Sequence, residues 1–280
     1  MTREISTGAA SWASTSGDSW AERWKETDKG LADLSQHLLS AIVAAAPAGR
    51  CHAFEVGCGA GSTSIAVASA CPDAAITACD ISPALTRVAQ QRTAGAPSIR
   101  VLLGDAEALA ASKAPFDLIF SRHGVMFFPD PVRAFRRLRD AANPGAALVF
   151  SCFQSWEANP WASELASAAA GRALPPPGRE PSGFAFADPG YVQEILTSSG
   201  WSPTKPSSVT FRYVAGEGDN AVEEALCFLT NIGPASRIVQ SMPNENRGDA
   251  IKRMRVIIER QFDGAAVAAP AAAWIWQAKA

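Results

Sequence analysis

The residues best suited to chemistry start at Glu55, which is followed by Gly57, Gly59 and Gly61 at alternate positions. Glycine lets the backbone adopt positive φ and approach a ligand closely, and a helix beginning there presents free N–H groups. The wider GxGxxG spacing of dinucleotide sites is absent. The tighter turn suits a nucleoside without a diphosphate, and the Glu55 carboxylate would repel a diphosphate but attract an ammonium group, directly or through water. A strand-to-helix turn that binds nothing is the alternative reading of these residues. Asp80 lies 19 residues beyond Gly61, where an acid accepts hydrogen bonds from two ribose hydroxyls; alone, it would be a turn former or helix cap. Asp105, between Gly104 and Ala106, falls at the same edge and suits the exocyclic amine of adenine.

His123 is the nearest candidate for a catalytic base, because imidazole titrates near pH ~6.5 and a hydroxyl, acidic carbon or protonated amine must lose a proton to react. The competing reading is a planar ring packed among Val125, Met126, Phe127 and Phe128. Arg122 is a candidate for binding an acidic substrate, although anchoring a loop through backbone carbonyls is commoner for a lone arginine. Trp12 and Trp20 are candidates to close over a cofactor or acceptor, as are Trp156 and Trp161 from a later segment, since aromatic rings bring apolar area with few rotamers to lose. Equally, these rings could cover core. Cys58 reads as a space filler, with nothing nearby to make it a reactive thiolate.

For these residues to meet, the chain must fold in a particular order. Residues 31–46 place Leu31, Leu34, Leu38, Leu39, Ile42 and Val43 at helical intervals, and Pro47 and Gly49 end that helix. A short apolar run at 52–56, the glycine turn, helix-like 62–70 and a run at 75–79 closing on Asp80 form a βαβ unit. Helix-like 83–93, strand-like 99–103 and 116–121, helix-like 131–142 and a strand at 146–153 continue it. This alternation implies a parallel sheet with helices on both faces. Residues 154–186 loosen around Pro175, Pro176, Pro177 and Gly178, a lid-like insertion. A helix at 188–199 capped by Asp188, a strand at 209–214, helices at 219–232 and 245–262 and a strand at 271–278 complete the reading. Residues 1–30, polar but carrying Trp12, Trp20 and Trp24, form an N-terminal cap segment whose rings need cover.

The 280 residues are 48% hydrophobic and 19% charged, enough apolar material for one large α/β domain spanning 1–280. A net charge of −2 offers no broad positive field for nucleic acid, and the short basic clusters at 133–139 and 252–260 read as solvated helix faces. Cys51, Cys58, Cys71, Cys79, Cys152 and Cys227 contain no CxxC pair and share no metal-ligand spacing with the histidines, so no metal site is expected. The first thirty residues lack a basic stretch followed by an apolar core, and no apolar run nears the roughly 20 residues that cross a bilayer. The expectation is a cytoplasmic protein with reduced thiols and no membrane or nucleic-acid partner; a homodimer is left open.

The segments EVGCGAGS, CDIS, GDAEAL, FDLIFSRHGVMFF and NPGAALVF, in this order and spacing over residues 50–153, resemble a class I S-adenosylmethionine-dependent methyltransferase. The ubiquinone/menaquinone-type methyltransferase group is the most similar, and Trp12, Gly17 and Trp20 together with FAFADP at 184–189 resemble a bacterial subgroup with mostly unassigned substrates. The resemblance implies a Rossmann-like seven-stranded sheet, mostly parallel, with residues 271–278 as its one antiparallel strand. It implies S-adenosylmethionine as cofactor and 50–153 as the core that binds it, with 187–280 supplying the rest of the sheet and inserted helices. Glu55, Gly57, Cys58, Gly59 and Gly61 would contact the methionyl part, Asp80 the ribose, Asp105 the adenine amine, with Ile81 and Ala106 flanking the base and Ser121 near the sulfonium. A departure is Ala146 after Asn143, Pro144 and Gly145, where a second glycine is usual. The implied activity is in-line methyl transfer to a small-molecule acceptor. Two alternatives stand beside it: an NAD-dependent oxidoreductase, which shares the glycine turn and strand-end acid, and a non-catalytic S-adenosylmethionine-binding regulatory protein.

Overall fold

The computed structural model describes residues 8–280; the first seven residues of the cap segment lie outside the described residues. In chain order the elements are α1 (Ala9–Trp12), α2 (Thr15–Glu22), α3 (Trp24–Gly30), α4 (Ala32–Ala45), β1 (Cys51–Val56), α5 (Ser62–Ala70), β2 (Ala74–Asp80), α6 (Pro83–Arg92), β3 (Ile99–Leu103), α7 (Ala106–Lys113) and β4 (Phe116–Arg122). After a 3-10 turn at Val125–Phe127 come α8 (Pro131–Asp140), β5 (Ala142–Phe153), α9 (Pro160–Ala170), α10 (Pro189–Ser198), β6 (Ser202–Pro203), β7 (Ser207–Glu217), α11 (Ala221–Leu229), α12 (Pro234–Ser241), α13 (Asn244–Arg260) and β8 (Ala266–Lys279).

Short polar side chains begin many of these helices. Ser82, Asp105, Asp130 and Asp188 each accept a backbone N–H of the first turn of α6, α7, α8 and α10, and in α6, α8 and α10 a proline follows where no N–H is needed. The apolar stripe of α4 is Leu34, Leu38 and Ile42, all fully buried. Strands β1, β4 and β5 are apolar on both faces, as a sheet covered on two sides requires.

The sheet runs β3-β2-β1-β4-β5-β8, with β7 and the two-residue β6 both paired to β8. Strands β1 to β5 pair in parallel. β8 is antiparallel to β5 on one side and to β7 on the other, so β8 alone runs against the rest. This is the mostly parallel, Rossmann-like sheet expected, with β6 as a short addition. The strand order reverses between β1 and β4, which opens a crevice at their carboxyl ends.

Several expected boundaries differ. The final strand begins at Ala266, five residues before the expected 271, because it pairs with β7 as far as Glu217. The stretch 219–262 holds three helices instead of two, with α12 set apart by Gly233 and Pro243. The segment 154–186, expected to be irregular, contains α9, whose Trp161, Leu165, Ala166 and Ala169 are buried in the core. Most of the basic residues at 133–139 and 252–260 meet acids or backbone carbonyls: Arg133 pairs with Glu107, Arg255 with Glu223 and Arg260 with Glu164.

Candidate functional site

The crevice is a cavity of about 610 Å³, floored by the carboxyl ends of β1, β2 and β4 and closed by the N-terminal helices, the 153–184 region and α12. Gly57 (φ 65°) and Gly59 (φ 54°) carry the turn after β1 around its edge. A side chain at Gly57 would come to 3.0 Å from the Gly124 backbone, so two loops touch there only because both residues are glycine. Gly61 (φ 82°) begins α5 and packs toward Ala89, where an added Cβ would come to 3.2 Å; it supports the turn without lining the cavity.

Glu55, at the end of β1, is 1% exposed and accepts a hydrogen bond from the Ser64 hydroxyl through Oε2. Burial pushes its pKa up to about 7, against the lowering effects of Ser64 and Arg122. The Asp80 carboxylate accepts from Gly59 N–H (2.8 Å) and Ser82 N–H (2.8 Å), one bond on each oxygen. Burial raises its pKa and the backbone N–H groups oppose the rise. Each oxygen keeps a lone pair for a further donor. Asp105 caps α7 through Ala108 N–H (3.0 Å) and lines the cavity with Ile81 and Ala106. Cys58 is buried, and burial beside Asp80 and Glu55 raises its thiol pKa well above the ordinary value, which leaves it unreactive.

The N-terminal helices cover this half. Trp12, Trp20 and Trp24 line the cavity; Trp12 lies 5.5 Å from Trp20 and meets Phe127 edge-on at 4.9 Å. Asp28 bridges Arg92 (2.9 Å) and Arg122 (2.9 Å), and the Arg92 guanidinium lies 3.9 Å from the Trp24 ring centroid. Arg122, which also donates to Ser35 (3.0 Å), is therefore neither a free anion receptor nor an anchor for backbone carbonyls. It ties β4 to the cover.

His123 has φ 58°, a conformation rare for a non-glycine residue, and lines the opposite half. Its Nδ1 meets the Ser151 hydroxyl at 2.8 Å, its ring packs edge-on against Phe153 (4.1 Å), and its Nε2 is buried without a partner. Burial, with Arg122 nearby, drops its pKa to about 3. This corrects the expectation of titration near neutrality: the apolar surroundings of the ring and the neighbouring guanidinium disfavour its cation. Ser121, expected beside the sulfonium, is fully buried and off the cavity surface; its hydroxyl donates to Val56 C=O (2.8 Å) and accepts Gly124 N–H (3.1 Å), which pins the two loops together. Trp156 and Trp161 line the cavity but are packed in place, Trp161 stacked on Tyr213 at 4.2 Å and Trp156 edge-on to Phe184 at 5.0 Å.

Sequence reasoning passed over Asp28, Tyr213, Arg172 and Arg237, all of which line the cavity. They come from elements distant in sequence, and no local spacing marks them. Two unlike features did carry a signal: Tyr213 is one of two tyrosines in the chain, and Asp28 sits in a segment already marked by its tryptophans.

Residues 54–150 match the family model described as a methyltransferase domain. A malonyl-[acyl-carrier protein] O-methyltransferase of Ilyobacter polytropus is 32% identical over 100 residues, which is 36% of this chain and 37% of that protein. The matched stretch thus spans little more than a third of the relative. Among solved structures, the YcgJ protein of Bacillus subtilis superposes with a TM-score of 0.54 at 14% identity, covering 87% of this chain and 98% of that one. A Haemonchus contortus phosphoethanolamine N-methyltransferase 2, solved in complex with S-adenosyl-L-methionine, gives 0.51 at 14% identity, covering 95% of this chain and 57% of that one. The fold is that of the Rossmann-like methyltransferases, and the domain match lies on the strands and turns that build the floor of the cavity.

Proposed function

We propose that the protein binds S-adenosylmethionine on the β1–β4 floor and transfers its methyl group to a small-molecule acceptor held in the same cavity. The observation that carries this reading is Glu55: a buried carboxylate at the cavity, hydrogen-bonded only to Ser64 among the described residues, beside a glycine turn. A carboxylate so placed gains most from an ammonium group and loses most from a phosphate. The remaining residues fit the same molecule. Asp80 and Asp105 offer acceptors for ribose hydroxyls and an adenine amine, Ile81 and Ala106 offer flanking surface, and the two guanidiniums beside the turn, Arg92 and Arg122, are both paired with Asp28. When bound, S-adenosylmethionine supplies a methyl group already activated by its sulfonium. The chain's own task is to align an acceptor and exclude water, for which the tryptophan cover and the packed aromatic wall are suited. His123 acts in this reading as a neutral hydrogen-bonding group toward the acceptor.

Calorimetric titration with S-adenosylmethionine and with NAD tests the reading, followed by measurement of S-adenosylhomocysteine release in the presence of acceptors. Binding of S-adenosylmethionine with NAD inert is expected. Binding of NAD instead would establish the oxidoreductase reading, and binding without turnover the regulatory one.

A further inference from the structure

Of the charged residues that line the cavity, Asp28 and Arg122 pair with each other, and the others are unevenly placed. Glu55, Asp80 and Asp105 lie on the floor; the opposite wall, where α12 packs on α9, carries the guanidiniums of Arg172 and Arg237, with Glu180 at the exposed rim. A cationic cofactor on the acidic floor leaves the arginine wall facing whatever is methylated. That wall is otherwise aromatic: Phe153, Trp161 and Phe184 pack with ring centroids 5.2 to 6.5 Å apart, and Tyr213 stacks on Trp161. Resting on the methyl-transfer reading above, we propose that the acceptor is a carboxylic acid with an apolar body, bound as its carboxylate against the Arg172–Arg237 wall and methylated on oxygen.

Two further observations bear on this. The acceptor half holds a buried hydrogen-bonding atom that lacks a partner within the described residues, the His123 Nε2. If Ser151 donates to Nδ1, this nitrogen is a donor, which matches an acceptor rich in oxygen lone pairs. Neither of the buried titratable groups described in that half is a base at neutral pH: burial drops the His123 pKa to about 3 and raises that of the Tyr213 phenol, so the ring stays neutral and the phenol protonated. An alcohol or ammonium would need to shed a proton, and a carboxylate would not. A carboxylate oxygen forms the new bond to carbon, the carbon–sulfur bond breaks with its electron pair passing to sulfur, and no proton needs a destination. Anion and sulfonium become two neutral products, a loss of charge that an apolar chamber favours.

The test uses 3-phenylpropanoate, indole-3-acetate and octanoate, each beside its primary alcohol and its amide. In calorimetry with S-adenosylhomocysteine present, the acids are expected to bind at least ten-fold more tightly than their amides. Arg172→Gln, on an exposed residue, should erase much of that preference; Arg237→Gln should do the same if it folds, and Arg237→Lys should restore part of it. With S-adenosylmethionine carrying a tritiated methyl group, label transferred to the acids should be released as volatile methanol by mild alkali, the signature of a methyl ester. Label that resists alkali, or acids bound no more tightly than amides, overturns the carboxylate assignment and leaves methyl transfer standing. Failure of S-adenosylmethionine to bind in a parallel titration overturns the parent reading instead.

Discussion

Lowering the pH should weaken S-adenosylmethionine binding through Glu55 before it disturbs the fold. The carboxyl has a pKa of about 7 in the free protein, raised by burial and faced by the Ser64 hydroxyl, the Arg122 guanidinium and the Asp80 carboxylate. Only the ionised form attracts the ligand's ammonium, so affinity should fall about two-fold at pH 7 and about ten-fold at pH 6 relative to the alkaline plateau. The plateau has its own upper edge, because an α-amino group loses its charge above about 7.8. Calorimetry in buffers of different ionisation enthalpy would count the protons directly: about half a proton released from the protein at pH 7 and nearly one at pH 6. Glu55→Gln should remove the acid limb, which separates Glu55 from Asp80. The same substitution should stabilise the ligand-free protein in alkali. A carboxyl whose pKa rises on folding, here from 4.5 to about 7, contributes stability in full below its unfolded value and loses it as pH rises through 7. That loss is on the order of 3 kcal/mol for a group this deeply buried. Affinity that is flat from pH 6 to 7.5, with no buffer-dependent enthalpy, would refute the placement of the ammonium at Glu55.

Asp80→Ala should weaken the same ligand by roughly 1–3 kcal/mol and lower the melting temperature, because Gly59 and Ser82 N–H groups lose their acceptor along with the ribose; titration and scanning calorimetry report the two effects separately, and unchanged affinity would remove Asp80 from the site. The His123 ring resonances should stay constant from pH 5 to 8, since the neutral form persists down to about pH 3; a titration near 6.5 by NMR would reinstate it as a base. Gly17→Val should unseat the N-terminal cover, because a Cβ there would fall 2.2 Å from the Ser82 hydroxyl oxygen; limited proteolysis should then cut near residues 8–30 while the core persists, and an unchanged digestion pattern would show that the cover yields without opening.

The floor of the site was legible because each of its residues follows a strand and serves a local need. Glycines at a turn, an aspartate at the end of β2 and another capping α7 all sit where backbone geometry asks for them, so sequence spacing stands in for spatial position. The sheet was legible for the same reason, its strands being continuous apolar runs. The acceptor wall was not. Tyr213, Arg172 and Arg237 come from β7, the end of α9 and α12, and only tertiary packing brings them together. Nor could the sequence show that the His123 ring is held neutral, since that depends on Phe153 and its neighbours packing against it. Ser121 failed for a subtler reason: the end of β4 does reach the crevice, but strand alternation turns this hydroxyl inward to the neighbouring loop.

β8 occupies the slot between β5 and β7 although it is made after both of them. A ribosome that has exposed β7 but not β8 therefore presents two long strands, each with a bare hydrogen-bonding edge, for the time needed to synthesise about fifty more residues. Until β8 emerges, the nascent chain is at its most vulnerable to pairing with the wrong strand, and a protein shortened before Ala266 should accumulate as aggregate instead of as a smaller folded domain.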